Sequence, residues 1–285
     1  MEARATIAYV SSLCIYGTIG WVLSFINLPS EVVVLCRGLL GSLFLAVIVF
    51  AVRRRFDAAL VRSKLVLLVV SGLCLGLNWV FLFEAYRVTT VAVASLCNYM
   101  APIILVLLAP LLGERLSARR LACVAVAFIG MILVSGVVEG GAEGVNAWGV
   151  TLGLLAAIGF VGVVVCNRKL TEVPVYDKAL VQLCAATVAA LPFVVVGNWG
   201  VALQPDAVSI ALVVMLGVVH TGFAYCLWFS ALGALKVQSI AVLGYIEPVV
   251  SVLCSVFLLG QPLSALGWLG AACILGAAAA SELLE

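Results

Sequence analysis

An all-α integral membrane protein of ten transmembrane helices, arranged as a 5+5 inverted repeat, follows from three properties of this 285-residue chain. The first is composition: 66% of the residues are apolar and 10% charged, with a mean hydropathy of +1.31, whereas soluble domains carry about 25% charged residues. The second is continuity. The apolar runs extend for about 17 to 25 residues, enough at about 1.5 Å per residue to cross a hydrocarbon core of about 30 Å, and they lack the alternation of barrel strands. The third is an internal repeat: a shift of 146 residues lays SLCNYMAPIILVLL (95–108) on AVLGYIEPVVSVLC (241–254), matching Tyr99 with Tyr245 and Pro102 with Pro248. One inserted residue further on, GERLS (113–117) meets GQPLS (260–264).

Each span has its own boundary chemistry. Span one (5–25) opens after Arg4; it is longer than a signal-peptide core and has no clear small-residue cleavage site, so it reads as a retained helix. Span two (31–52) runs from Glu31 to the Arg53, Arg54, Arg55 cluster, and span three (64–86) from Lys64 to Arg87. Span four (90–112) stops at Gly113, suited to a helix C-terminus, and span five (119–138) starts after Ser117, suited to an N-cap. Span six (147–167) ends before Arg168 and Lys169; span seven (176–197) carries Lys178 near its start. Span eight (208–232) follows Asp206 and turns at Gly233 and Ala234 into span nine (236–259), which ends at Gly260. Span ten (264–282) begins at Ser264, the counterpart of Ser117.

Five crossings fall in residues 1–140 and five in 141–285, and an odd number obliges the second copy to insert the opposite way. Basic residues set the orientation. With the N-terminus inside, the inner segments collect Arg4, Arg53, Arg54, Arg55, Arg62, Lys64, Arg115, Arg119, Arg120, Arg168, Lys169, Lys178 and Lys236, thirteen of the fifteen. Outer segments hold Glu31, Glu84, Glu139, Glu143 and Asp206, with Arg87. Both termini are therefore expected in the cytoplasm of a multi-pass cell inner-membrane protein. The net charge of +2 is a topology signal and gives no reason to expect nucleic acid as a partner. All ten cysteines lie inside spans without a C-x-x-C pair, as small packing residues do, so neither a metal nor any other cofactor is expected.

The two aligned stretches, AVASLCNYMAPIILVLLAPLLGERLS and IAVLGYIEPVVSVLCSVFLLGQPLS, resemble the EamA branch of the drug/metabolite transporter superfamily. The resemblance covers nearly the whole chain, with its recognisable motifs in spans four and nine and the turns after them. It implies an inner-membrane permease, many of which export amino acids or other small metabolites. One departure is visible: family copies often carry G-E after the ninth span, where this chain has Gly260 and Gln261. That turn is distant from the expected cavity, so no effect on substrate choice is expected.

Polar groups inside a bilayer must face protein or water. Glu247 stands about eleven residues into span nine, near mid-bilayer, immediately before Pro248. It is the candidate for substrate binding and for proton coupling. Pro248 withdraws the donor that would pair the Gly244 carbonyl, which makes Pro248, with Pro102 in the other half, a candidate hinge. His220 lies about as far from the span eight/nine turn as Glu247, so the two are expected to approach, with His220 as a proton relay. Asn78 and Asn98 are similarly placed about the span three/four turn. Trp79, Tyr99, Tyr225 and Tyr245 pair under the 146-residue shift and are candidate cavity walls, although aromatics at helix contacts also serve packing. Arg37, about six residues into span two, either snorkels outward, pairs with Glu247, or grips a substrate carboxylate while Glu247 holds an amine. Gln182 and Gln238 are weaker candidates. Gly72, Gly76, Gly149, Gly153, Gly267, Gly270, Ala271 and Gly276 read as close helix contacts, or as a dimer surface through spans five and ten.

These residues predict a secondary transporter exporting a small metabolite, an amino acid first, by alternating access; cationic drugs or quaternary amines are the alternative cargo. Enzyme chemistry is disfavoured: one histidine excludes H-E-x-x-H, and neither G-x-S-x-G nor a phosphate-binding glycine loop occurs. A receptor or scaffold leaves the duplication unexplained. The expected partners are the small-molecule substrate and the lipid bilayer, and the chain is a monomer or a homodimer.

Overall fold

A computed structural model describes residues 2–53, 56–108, 118–134, 138, 145–197, 203–232 and 243–283. The described residues are helical, with no strand among them. Six helices are long and apolar enough to span a bilayer: α1 (Ala3–Leu23), α2 (Ser30–Ala51), α3 (Leu65–Val88), α6 (Ala147–Asn167), α7 (Val175–Gly197) and α8 (Ala207–Trp228). Four shorter apolar helices accompany them, α4 (Val91–Leu105), α5 (Leu121–Val134), α9 (Ile246–Leu258) and α10 (Ala265–Ala277). Val196, Val66 and Phe257 are 82%, 79% and 72% exposed on the outer faces. Side chains of this kind spread over every long helix need acyl chains as their solvent. The turns bearing Gly113, Ser117, Gly233 and Ala234, and the side chain of Gln238, lie outside the described residues, as does the side chain of Pro102.

Helix pairing is reciprocal between the two parts of the chain. α3 packs on α6 as α8 packs on α1, α4 on α6 as α9 on α1, and α7 on α3 as α2 on α8, while α2·α7, α4·α9 and α5·α10 pair counterpart with counterpart. Two core clusters result. One gathers α1, α2, α3, α7 and α8 around Phe83, Leu45 and Leu183; the other gathers α4, α5, α9 and α10 around Leu96, Ile103 and Ile274.

Small residues allow these approaches. A Cβ on Gly76 of α3 would stand 2.5 Å from the Ala186 carbonyl oxygen of α7, and one on Gly72 equally close to that of Gln182. Gly149 and Gly153 lie against Thr89 and Cys97, and Gly270 faces the Gly130 carbonyl, so the α5 and α10 glycines meet within one chain. One expected contact is absent among the described residues, since a Cβ on Gly276 meets nothing within 4 Å, and the atoms nearest one on Gly267 belong to the preceding Leu263 and Ser264. A glycine in the apolar sequence marks a permissive position, and only the neighbour decides whether it is used.

Helix breaks follow from local chemistry. Proline cannot donate to the carbonyl four residues back, and α4 breaks at Tyr99 and Met100 ahead of Pro102, restarting at Ala101. α9 repeats the device: a turn at Tyr245 precedes the helix Ile246–Leu253, whose first turn contains Pro248. α8 widens into a π-helical stretch, Leu216–Phe223, across which the Thr221 hydroxyl donates to the Leu216 carbonyl at 2.9 Å. At the end of α9, Gly260 takes φ +62° and the Gln261 N–H reaches the Ser255 carbonyl at 3.0 Å, closing the helix with a left-handed cap. The Ser264 hydroxyl then accepts the Gly267 N–H at 3.0 Å and starts α10. Arg87, at the last turn of α3, donates to the Ile26 and Leu28 carbonyls and fixes the α1–α2 connection.

Candidate functional site

Arg37 sits on the face of α2 that also buries Val33, Val34, Gly38, Gly41 and Leu45. Glycine at 38 and 41 brings α2 against Thr187 of α7 and Thr221 of α8. Enclosed by these helices, Arg37 is 2% exposed and does not snorkel; that alternative is corrected by the close packing of the neighbours on both sides. Its Nε donates to Thr221 Oγ1 at 3.1 Å, and its guanidinium lies 4.2 Å from the Trp79 ring centre and 5.0 Å from that of Phe83. Cation–π contacts of desolvated guanidinium groups contribute about 2 kcal/mol. Among the described residues the two Nη groups have no hydrogen-bond partner and no carboxylate in ion-pair contact.

Glu247 is carried on the first turn after the α9 break. Its carboxyl lies within hydrogen-bonding reach of the Tyr99 hydroxyl, which sits at the matching break of α4. Arg37 faces it within electrostatic range, without the direct ion pair that the sequence leaves open. Tyr9, Tyr16, Tyr86, Tyr99 and Tyr225, five of the chain's seven tyrosines, lie within the same range of Glu247. Tyr16 and Tyr225 meet edge to face with ring centres 5.8 Å apart. The arrangement is a carboxylate and a guanidinium held apart among phenol rings.

The remaining candidates divide. Trp79 is the floor under Arg37, and Tyr225 faces both charges. Asn78 and Asn98 do meet: Asn78 Nδ2 donates to Asn98 Oδ1 at 2.9 Å and to the Ala156 carbonyl at 2.8 Å, tying α3, α4 and α6 together. Tyr245 packs against the second core cluster, alongside residues of α4, α5 and α10. His220 is 4% exposed and contacts Thr18 Oγ1 through Nε2 at 3.0 Å; no hydrogen bond or ion pair joins it to Glu247, and both face Arg37. Gln182 belongs to a network on another part of α7, donating to Ser71 Oγ at 2.8 Å and Asn167 Oδ1 at 2.7 Å.

Sequence reasoning missed Tyr9, Tyr16, Tyr86, Thr18 and Thr221. The seven-residue spacing of Tyr9 and Tyr16, which puts both on one face of α1, is the signal that was available. It also missed a polar seam between α4 and α9. The Gln261 Oε1 accepts from the Val91 N–H at 3.1 Å and from the Ser255 hydroxyl at 2.8 Å, and Ser255 Oγ accepts the Ala92 N–H at 3.1 Å. Further along, Ser95 and Ser251 share a 2.6 Å hydrogen bond, with the Tyr86 hydroxyl 3.2 Å from Ser95 Oγ. Gln261, where the resemblance departs, thus caps the first turn of α4 from the end of α9.

Interior charge and paired helix breaks in a helical membrane protein are features that transporters use. The chain matches the EamA-like transporter family twice, at residues 4–136 and 147–281, and it belongs to that family. It is a multi-pass membrane transporter of the drug/metabolite superfamily. Among curated relatives, it is 26% identical to the "Uncharacterized transporter YxxF" of Bacillus subtilis (strain 168), over 88% of this chain and 80% of that one. It is 28% identical to an "Uncharacterized transporter" of Archaeoglobus fulgidus, over 67% of each. A solved crystal structure with 22% identity superposes with a TM-score of 0.66 over all of this chain and 98% of that one, which establishes the shared fold.

Proposed function

We propose that this protein exports a small metabolite, an amino acid, across the cell inner membrane by alternating access. Glu247 takes the ammonium group, Arg37 takes the carboxylate, and Trp79, Tyr99 and Tyr225 supply the walls, with Asn78, Asn98 and Tyr245 at the adjoining helix contacts. The observation carrying this reading is that Glu247 and Arg37 face each other with no ion pair between them, as a zwitterion site requires. The ten apolar helices cross the bilayer as two oppositely inserted quintets, residues 1–140 and 141–285, with both termini cytoplasmic. Support comes from the reciprocal helix pairing and from the two family matches. The breaks ahead of Pro102 and Pro248 are hinges about which the halves rock. A proton exchanges at Glu247 as substrate is bound and released, with His220 as its relay through the Arg37 region, and the chain works as a monomer or homodimer.

Reconstituted protein should carry labelled amino acid down its gradient, and Glu247→Gln should slow that flux or remove its pH dependence without lowering the folded yield. A broad amino-acid screen producing neither flux nor thermal stabilisation would remove this reading. Five tyrosines around one carboxylate favour a second cargo, organic cations. For them Arg37→Gln leaves flux intact, whereas for amino acids it abolishes binding.

A further inference from the structure

The polar seam between α4 and α9 is a contact that the zwitterion site does not use. A helix start leaves its first N–H groups without intrahelical partners. In α4 the Thr90 hydroxyl accepts one of these, from Val93 at 3.2 Å. Two more are taken by the second part of the chain: Val91 donates to Gln261 Oε1 and Ala92 to Ser255 Oγ, each at 3.1 Å, and the Ser255 hydroxyl donates to Gln261 Oε1 at 2.8 Å. One turn further along both helices, Ser95 and Ser251 share their 2.6 Å bond. All three serines are buried. At the inner end of the seam the Tyr86 hydroxyl, 3.2 Å from Ser95 Oγ, stands within electrostatic range of Glu247 and Arg37.

This contact is built to part. It joins one helix from each half of the repeat, and both helices are broken at its inner end, at Tyr99 and Met100 in α4 and at Tyr245 in α9. The segments that carry the seam can therefore tilt without the rest of their helices. Ser255 lies in a π-helical stretch, Cys254–Leu258, a form met mostly at functional sites. The chemistry also fixes the direction of parting. Hydroxyl, amide and N–H groups drawn apart into lipid lose their partners, whereas in an aqueous mouth water replaces each bond at little net change. We infer that the α4–α9 seam is the outer gate of the transport path, closed in this structure by neutral hydrogen bonds, and that Gln261 sets the strength of its closure. This rests on the alternating-access reading above, in which α4 starts and α9 ends at the outer face. Tyr86 links the gate to the two charges of the cargo site.

Two measurements test the gate in protein whose ten native cysteines are replaced. The first joins the seam through Ser95→Cys with Ser251→Cys, in reconstituted protein assayed for flux of labelled alanine, leucine and phenylalanine. Oxidation to the disulfide should abolish flux and reduction should restore it. The oxidised protein should keep its thermal shift with the transported amino acid, because the opposite mouth is untouched. The second follows Ser251→Cys alone, with a membrane-impermeant thiosulfonate applied outside right-side-out vesicles. The buried thiol should react only as the seam parts. Gln261→Glu keeps the shape and puts a carboxylate at the positive end of α4, so the rate should fall about tenfold, the step from a neutral to a charge-assisted hydrogen bond. Gln261→Ala leaves the Val91 N–H unpaired in the closed gate and should raise the rate about tenfold. Full flux through the oxidised protein, no reaction from outside, or a rate indifferent to residue 261 overturns the gate while amino-acid export stands. Absence of both flux and thermal shift in the reduced protein overturns the amino-acid reading, and the reaction rates then decide the gate alone.

Discussion

Thr221 joins two jobs in one hydroxyl: it donates to the Leu216 carbonyl across the π turn and accepts from Arg37 Nε. Thr221→Val keeps the shape, which matters because a Cβ on Gly41 would already stand 2.5 Å from the Thr221 methyl group, and removes only the polar contacts. It should destabilise the protein by about 1–3 kcal/mol, the cost of leaving a buried donor unpaired, and should weaken carboxylate ligands more than cationic ones. Thr221→Ser retains both bonds and should behave as wild type in denaturant unfolding in detergent, so a destabilised serine variant would show that packing, not the hydroxyl, is what matters. At this scale the sequence was informative about Glu247 and Arg37, because an ionised group in an apolar run is costly anywhere and so attracts attention by itself. It was silent about Tyr16 and Thr221. Tyrosine and threonine are ordinary in membrane helices, and their place beside Arg37 depends on which face α1 and α8 turn inward. His220 shows the same limit: equal distance from a turn fixes depth in the bilayer but leaves the rotation of the helix free, and that rotation takes His220 to Thr18.

Helix contacts supply two predictions at the level of the element. Gly76 and Gly276 look alike in sequence, yet a methyl group at 76 runs into the Ala186 carbonyl oxygen 2.5 Å away, whereas at 276 nothing lies within 4 Å. Gly76→Ala should therefore cost about 1–3 kcal/mol by forcing α3 and α7 apart, and Gly276→Ala should be neutral or slightly stabilising, both read from thermal unfolding in detergent. Capping gives the second. Asp206 accepts the Ser209 N–H at 2.6 Å at the exposed start of α8, and that backbone bond, with the Ser209 hydroxyl after it, holds the carboxyl below its ordinary range. Because the folded state lowers this pKa, the stabilisation is full above the unfolded-state value and disappears as pH falls through the folded one. Asp206→Asn keeps an acceptor and loses the titration, so its melting temperature should fall less than the wild type's between pH 5 and pH 3, values spanning the ordinary aspartate range of about 3.9. Parallel pH profiles for the two proteins would contradict the cap's role.

For the molecule as a whole, opposite insertion of the halves makes a demand that equal insertion does not. The connection between α2 and α3 and that between α7 and α8 are counterparts under the repeat, so oppositely inserted quintets put them on opposite faces of the membrane. The helix pairing is reciprocal because the chain repeats its packing surfaces, and that much was readable in the Y-x-x-P and G-x-x-L-S spacing. What the repeat alone could not foresee is the polar seam from Gln261 to Tyr86, since its first-half counterparts differ: Ala109 stands at the position of Ser255 and Glu114 at that of Gln261. The two ends of the α4–α9 contact are therefore chemically unequal. Arg62 and Gln204 are both exposed, one in each of the counterpart connections. With the ten native cysteines replaced, Arg62→Cys should react with a membrane-impermeant maleimide only in inside-out vesicles, and Gln204→Cys only in right-side-out ones. If both cysteines react from the same face, the halves insert in parallel, and the rocking mechanism goes with them.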